Sequence, residues 1–476
     1  MKKRVSVGIV VAAAVIFYGG TLSGCNNSPY YGSAGATGID TVNKLPGLSL
    51  VTTDPSLIPA ATFPGNGDTG ISLHAYDSNA IKPIVRWHAA SGATHYRVVI
   101  SAGKVSVPGN SSETLLALPL VIDDTAFTGT DSSDSIRALL SYSTSYYLAI
   151  CAKNDSGKVG WSPIRTFKTK ADPLPQLQAA YVNQKFGMFI HFNMSTFSRY
   201  NDPTPSGEWE TGAEDPNLFQ PESLNVGQWA DVAKSAHCTY AVLTSKHHGG
   251  FCLWPYSGYV SSSLHGIAQG SWYQQNGKRD IIREFVDSVR QRGLDPGLYF
   301  SIRDEHNPPN IPMVKAQLTD LLSNYGDLKV IWFDGWGWYV GYVTIPYDTV
   351  ANLVQYLNDS LGHHTVIVEN NHMYKMVNTQ IVEYEIPIDG PPLAKNGQPS
   401  EGNEPIRADK CWFWHPMDTT LKSTQSVLDR ITAANAAYAT YLLDVTPDTL
   451  GRVPQYEVQA MSDIGAQAIA QGILQH

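Results

Sequence analysis

The spacing of apolar and polar positions changes rhythm once along the chain, near Gln178. Between about Ala60 and Lys170 the pattern is short alternating runs, "PIVRWHAA", "THYRVVIS", "SYYLAICAKN" and "IRTFKT", separated by turn residues. Alternation with period two and no helical stretch predicts strands, and this segment is long enough for a small β-sandwich. "KADPLPQLQ" reads as a linker. Beyond it, apolar runs with little alternation, "FGMFIHF", "YAVLTSK", "DPGLYFSI", "KVIWFDG", "TVIVEN", "IVEYEIP", "CWFWH" and "ATYLLDV", take turns with amphipathic stretches such as "RDIIREFVDSVRQRG". Strands buried on both faces read this way in parallel sheets. Eight of them with helices between predict an α/β fold: a (β/α)8 barrel over residues 178–476, preceded by the all-β sandwich over 60–170. The crossovers around "IVEYEIP" carry no clear helix, so the second half is the less regular one.

The first 59 residues stand apart. "MKKR" is a positive start, "VSVGIVVAAAVIFYGG" an apolar run too short for a spanning helix, and "LSGC" closes on Cys25. This resembles a bacterial lipoprotein signal, which implies removal of residues 1–24, lipidation of Cys25 and a place on the cell envelope, anchored to a membrane by lipid. Residues 25–59, rich in Ser, Gly, Thr, Asn and Pro, read as a flexible tether. Trp87, Tyr96 and Tyr147 stand where a fibronectin type III module has its core aromatics, and the sandwich resembles that module. A net charge of −9 with no long basic run argues against nucleic acid as a partner. Cys151, Cys238, Cys252 and Cys411 follow no zinc spacing.

In a (β/α)8 barrel the active site gathers at the C-terminal strand ends. Those ends carry His191, then His247 and His248, then Tyr299 and Ser301, then Trp332 and Asp334, then Glu369, then Glu383 and Glu385. Three histidines with a carboxylate could hold a metal, but adjacent residues on a strand point to opposite faces, so no metal or cofactor is expected. His, Tyr and Trp suit sugar hydroxyls and sugar faces, and a glycosidic bond needs two carboxyl groups.

The segment from Lys185 to about Pro454 resembles the α-L-fucosidases of glycoside hydrolase family 29. The matches are "KFGMFIHF", "GEWE", "YAVLTSKHHGGFCLW", "RDIIREFVDSVRQRGLDPGLYFS", "LLSNYGDLKVIWFDG" and "LLDVTPDTLGRVP", in the family's order. The resemblance implies a retaining, exo-acting hydrolase that removes terminal fucose from fucosylated oligosaccharides or glycoconjugates. It makes Asp334 of "WFDG" the nucleophile and puts His191, Glu208, Trp209, His247, His248, Tyr299 and Trp332 on the sugar. It looks for the acid/base on a variable loop after the sixth strand, where Glu401 is favoured, Glu404 lies three residues on, and Glu385 is the alternative borne on a strand. Two positions depart from the pattern. Gly249 stands where the family usually has Asp, and "VIVENNHM" lacks an Arg common at the fifth strand end, leaving Glu369 or Asn371 to act differently. The competing readings are a glycan-binding lipoprotein with an inactive barrel, and an exo-glycosidase for a related sugar such as galactose.

Overall fold

A computed structural model describes residues 59–475, apart from 64–65, 72–75, 78–79, 82–83, 103–119, 129–132, 136–139, 199–204, 260–262, 337–344, 371–378, 393–396 and 409. The signal segment, Cys25 and the tether lie outside the described residues, as does Asn371.

The four runs read as strands in the N-terminal part are strands: Ile84–His88, His95–Ser101, Ser145–Lys153 and Arg165–Thr169. Ile84–His88 lies between Ala60–Phe63 and Ser133–Ser135 in one antiparallel sheet, and the other three belong to a second sheet. The two sheets bury Val85 and Trp87 against Tyr96, Val98, Ile100, Tyr146, Leu148 and Phe167. Trp87 and Tyr96 are core residues as expected, with ring centroids 5.5 Å apart. The third aromatic is off by one position: Tyr146 is buried against Phe167, whereas Tyr147 is half-buried on the other face. A slip of one residue reverses the face in a strand, and neighbouring tyrosines conceal it.

The barrel strands are β1 (Phe186–Ile190), β2 (Tyr240–Lys246), β3 (Asp295–Ser301), β4 (Val330–Asp334), β5 (Val366–Glu369), β6 (Ile381–Glu385), β7 (Ser400–Pro405) and β8 (Ala439–Asp444). Each pairs in parallel with the next, and β8 closes on β1. Seven coincide with the apolar runs. The seventh does not: "CWFWH" is a loop, and the strand before it is Ser400–Pro405, "SEGNEP". Glu401 and Asn403 of β7 point into the barrel, where Glu401 accepts from Tyr and Trp side chains and Asn403 Nδ2 donates to Glu383, while Glu404 points out to Tyr441, Lys422 and Arg430. A strand whose inward residues are polar leaves no apolar run to read.

The outer helices form for local reasons. In Ile281–Gln291, Ile281, Ile282, Phe285, Val286 and Val289 line one buried face, and the Asp280 side chain caps the start by accepting the Arg283 N–H. Each such large apolar side chain contributes about 1.5–3 kcal/mol on burial. Among the described residues no helix separates β5 from β6, and β6 leads to β7 through a single turn, Ile386–Asp389.

Helix Leu174–Val182 joins the sandwich to the barrel and brings Tyr181 and Leu177 against the interior cluster of Phe189, Tyr240, Val242, Tyr299, Val330, Trp332 and Leu442. Gly187 of β1 makes room there, since a Cβ at that position meets the Tyr240 ring. Tyr240 thereby reaches the barrel axis, under the mouth where the chemistry collects.

Candidate active site

At the C-terminal ends of the strands lies a cavity of about 410 Å³ lined by His191, Glu208, Trp209, His247, His248, Tyr299, Trp332 and Asp334. These are eight of the ten residues read from sequence as nucleophile, acid/base or sugar contacts. Glu385, the alternative acid borne on a strand, lines it too, together with Asn370, Asn403 and the loop residues Ile388, Lys410, Trp412 and Phe413.

Glu401 and Glu404 are not on the cavity wall. The expected acid-bearing loop is strand β7, so both side chains are fixed by the pleat. Glu401 is fully buried below the cavity. It accepts hydrogen bonds from Trp332 Nε1 at 2.7 Å, from the Tyr240 hydroxyl at 3.1 Å and from the Tyr181 hydroxyl. Burial pushes its carboxyl up to about 7, against those hydrogen bonds, which pull it down. Its evident work is to hold the indole of Trp332 in place. Glu404 faces the outer layer, where Tyr441 donates to it at 2.9 Å and Arg430 lies at 3.2 Å. Glu369 is likewise off the cavity wall, and its neighbour Asn370 takes that place.

Asp334 ends β4. Tyr299 donates its hydroxyl to Oδ2 at 2.8 Å, and the Gly335 N–H donates to Oδ1 at 2.7 Å. Burial and the nearby Glu385 carboxylate push its pKa up to about 6, against the lowering effects of Tyr299, His247 and Gly335. Glu385 ends β6 and accepts from Asn370 Nδ2 at 3.1 Å. Two carboxyl groups that feel each other's charge across one apolar-walled cavity are what glycoside cleavage requires.

The paired histidines do not alternate. β2 ends at Lys246, after an irregularity at Thr244–Lys246, and the pleat rule lapses there. Lys246 points outward to Asp304 and Gln317, both at 3.1 Å. His247 and His248 both line the cavity, with ring centroids 4.2 Å apart. Ser301 donates its hydroxyl to the Arg303 carbonyl, so its oxygen accepts from His248 Nδ1–H at 2.8 Å. His248 Nε2, 3.8 Å from Asp334, then carries no proton. The donors to Asp334 are thus Tyr299 and the Gly335 backbone rather than a histidine ring. Burial holds His248 well below its ordinary pKa and brings His191 down to about 3, so both rings are neutral. His191 Nδ1 is 2.8 Å from Asp444, and its ring packs on Trp412 and Phe413.

The Trp412–Phe413 loop was read as a strand and missed as a wall. Phe413 N–H donates to Glu208 at 2.8 Å, and its carbonyl accepts from the fully buried Arg407 at 2.9 Å. Arg407 is held in turn by Glu457 at 3.2 Å. Trp332 and Trp209 line the cavity, whereas Trp336, two residues past Asp334, packs on Phe333 and Tyr347 and donates to the Ile345 carbonyl.

Comparisons with known proteins place the chain in a family. The chain is 27% identical over 317 residues to α-L-fucosidase 1 of Arabidopsis thaliana, covering 61% of this chain and 59% of that protein. It is 30% identical over 200 residues to the plasma α-L-fucosidase of Homo sapiens, covering 34% and 40%. It therefore spans less than two thirds of the length of these relatives. The α-L-fucosidase of Lactobacillus casei, solved with α-L-fucose product, superposes with a TM-score of 0.51 at 21% identity, over 63% of this chain and 100% of that one, which shows the shared fold. The family model for α-L-fucosidase matches residues 163–472, a stretch that contains all eight barrel strands and every residue of the cavity wall. The chain belongs to the α-L-fucosidase family.

Proposed function

We propose that this protein hydrolyses terminal α-linked L-fucose from glycans with retention of configuration, with Asp334 as nucleophile and Glu385 as acid/base. The observation that carries the reading is the pair of carboxyl groups, Asp334 and Glu385, at the ends of β4 and β6, either side of β5, on one cavity walled by Trp332, Trp209 and Phe413. An Asp334 oxygen attacks the anomeric carbon as the glycosidic C–O bond breaks, and the leaving oxygen takes the Glu385 proton. Water then attacks the same carbon, the ester bond to Asp334 breaks, and the water's proton returns to Glu385. His248 Nε2 accepts a sugar hydroxyl proton, and the aromatic wall suits the C5 methyl group that distinguishes fucose from galactose. No cofactor enters these steps.

The test is turnover of an aryl α-L-fucoside against the matching α-galactoside, followed across pH. Fucoside turnover is expected, with galactoside turnover far lower. Asp334 attacks as its ionised form, so kcat/KM falls about tenfold per pH unit below about 6. An absence of fucoside turnover, or a preference for galactoside, overturns the reading.

The proposal extends to location: lipid at Cys25 anchors the mature chain on the cell envelope, supported by "LSGC" after an apolar run. Detergent phase partitioning checks it, since Cys25→Ser should move the protein to the aqueous phase or leave it unprocessed.

A further inference from the structure

The histidine pair is followed by two glycines, and each leaves space that a carboxylate from another loop fills. A Cβ on Gly250, at φ 80°, meets the carboxylate of Asp304, the partner of Lys246. A Cβ on Gly249 meets Glu210, 2.7 Å from its Cβ and nearer still to its carboxylate. Glu210 is not on the cavity wall. It sits directly behind His247, with Oε1 3.7 Å from His247 Nδ1.

Three observations point to a purpose. Glu210 is pinned: its Oε1 accepts the Ser195 N–H at 2.8 Å and the Ser195 hydroxyl. Its other oxygen, Oε2, and His247 Nδ1 are both buried with no hydrogen-bond partner, although they belong to adjacent groups. Buried polar atoms without partners are rare in folded chains, and here an acceptor and a ring nitrogen lie unpaired on adjacent groups. Finally, Glu210 has φ 57°, a left-handed conformation uncommon for a residue with a side chain, so the local backbone is bent to aim it there.

The geometry points to Glu210 as the positioning residue for His247: its carboxylate, 3.7 Å from Nδ1, favours the proton on that nitrogen, fixing the tautomer that leaves Nε2 without a proton toward the sugar, and Gly249 is the space that admits it. A carboxylate on one ring nitrogen sets the state of the other. His248 is held in the same tautomer by Ser301, so the two rings present matched acceptors to neighbouring hydroxyls. Position 249 and position 210 then form one unit, in which the carboxylate can come from either side but not from both.

This inference rests on the proposed fucoside hydrolysis for its kinetic arm, and an arm independent of activity is included. Glu210→Gln keeps the size of the side chain and can keep the Ser195 contacts. It is expected to lower kcat/KM for the aryl fucoside about tenfold with an unchanged melting temperature. Gly249→Asp alone should also lose activity, because its carboxylate collides with Glu210. In Glu210→Ala/Gly249→Asp the carboxylate is supplied from position 249, and turnover should exceed that of Glu210→Ala and of Gly249→Asp. Separately, NMR of protein labelled with 15N-histidine, with His247 assigned by its loss in His247→Asn, should show Nδ1–H in the native chain and a changed tautomer in Glu210→Gln. Single-variant losses that simply multiply in the double variant overturn the proposal. So does a His247 spectrum indifferent to Glu210. A native protein that turns over no fucoside overturns the hydrolase reading, and the NMR arm then decides the Glu210–His247 pair by itself.

Discussion

Replacing Asp334 by Gly is expected to lower kcat on an aryl fucoside by at least about a thousandfold, or ~4 kcal/mol of barrier, while the barrel stays folded. The carboxylate is buried at the cavity wall, and its hydrogen-bonding partners, the Tyr299 hydroxyl and the Gly335 N–H, can turn to water that enters the vacated space. Azide should restore turnover on an activated fucoside, because a small anion fits the space left by the carboxylate and attacks the same carbon from the same side. The recovered fucosyl azide should have the configuration opposite to that of the substrate. Asp334→Asn serves as the control for shape. Near-native turnover in both variants would exclude Asp334 as the nucleophile.

Loss of the acid should depend on what leaves. A nitrophenolate departs without a proton, whereas a sugar alkoxide does not. Glu385→Ala is therefore expected to reduce glycosylation only modestly with nitrophenyl fucoside, and by about 10²–10⁴-fold with a fucosylated disaccharide. Glu401→Ala should show no such split. Its carboxylate is fully buried on β7 and bonded to Trp332, Tyr240 and Tyr181, so its loss should depress both substrates together and lower the melting temperature. Glu208 is the competing carboxylate on the cavity wall, held by the Phe413 N–H. A leaving-group split in Glu208→Gln and none in Glu385→Ala would transfer the acid to the first barrel loop.

Most of the cavity wall was legible because its residues sit at the ends of apolar strands. His191 follows β1, His247 and His248 follow β2, Tyr299 lies in β3, and Trp332 and Asp334 in β4. For such strands the run of buried residues gives the position of the end, and the barrel rule gives the face. Glu208 and Trp209 were legible by family likeness alone, since they lie on a loop. β7 defeated the same reading. Its inward positions are Glu401 and Asn403, its outward one Glu404, and the aromatic loop that follows looks more like a strand than the strand does. The polar interior is affordable because Tyr181 arrives from a helix about 220 positions earlier in the chain and Tyr240 enters through the space at Gly187. Neither partner can be inferred from the "SEGNEP" segment itself.

The amino-acid sequence by itself determined the two-part architecture and the parallel barrel, because period and burial are local properties that strands of five residues already express. It also put Asp334 and the histidines at strand ends. What it could not decide was which carboxylate lines the cavity and which supports the floor. That depends on whether a Glu falls on an inward pleat below the cavity, on an outward pleat, or at a strand end, and a shift of one residue exchanges these outcomes. Only the closed barrel, which puts Glu385 at the mouth, Glu401 beneath Trp332 and Glu404 against Arg430, assigns the three their separate surroundings. The same holds for Gly249: its missing side chain has meaning only once the chain has brought Glu210 to fill the space.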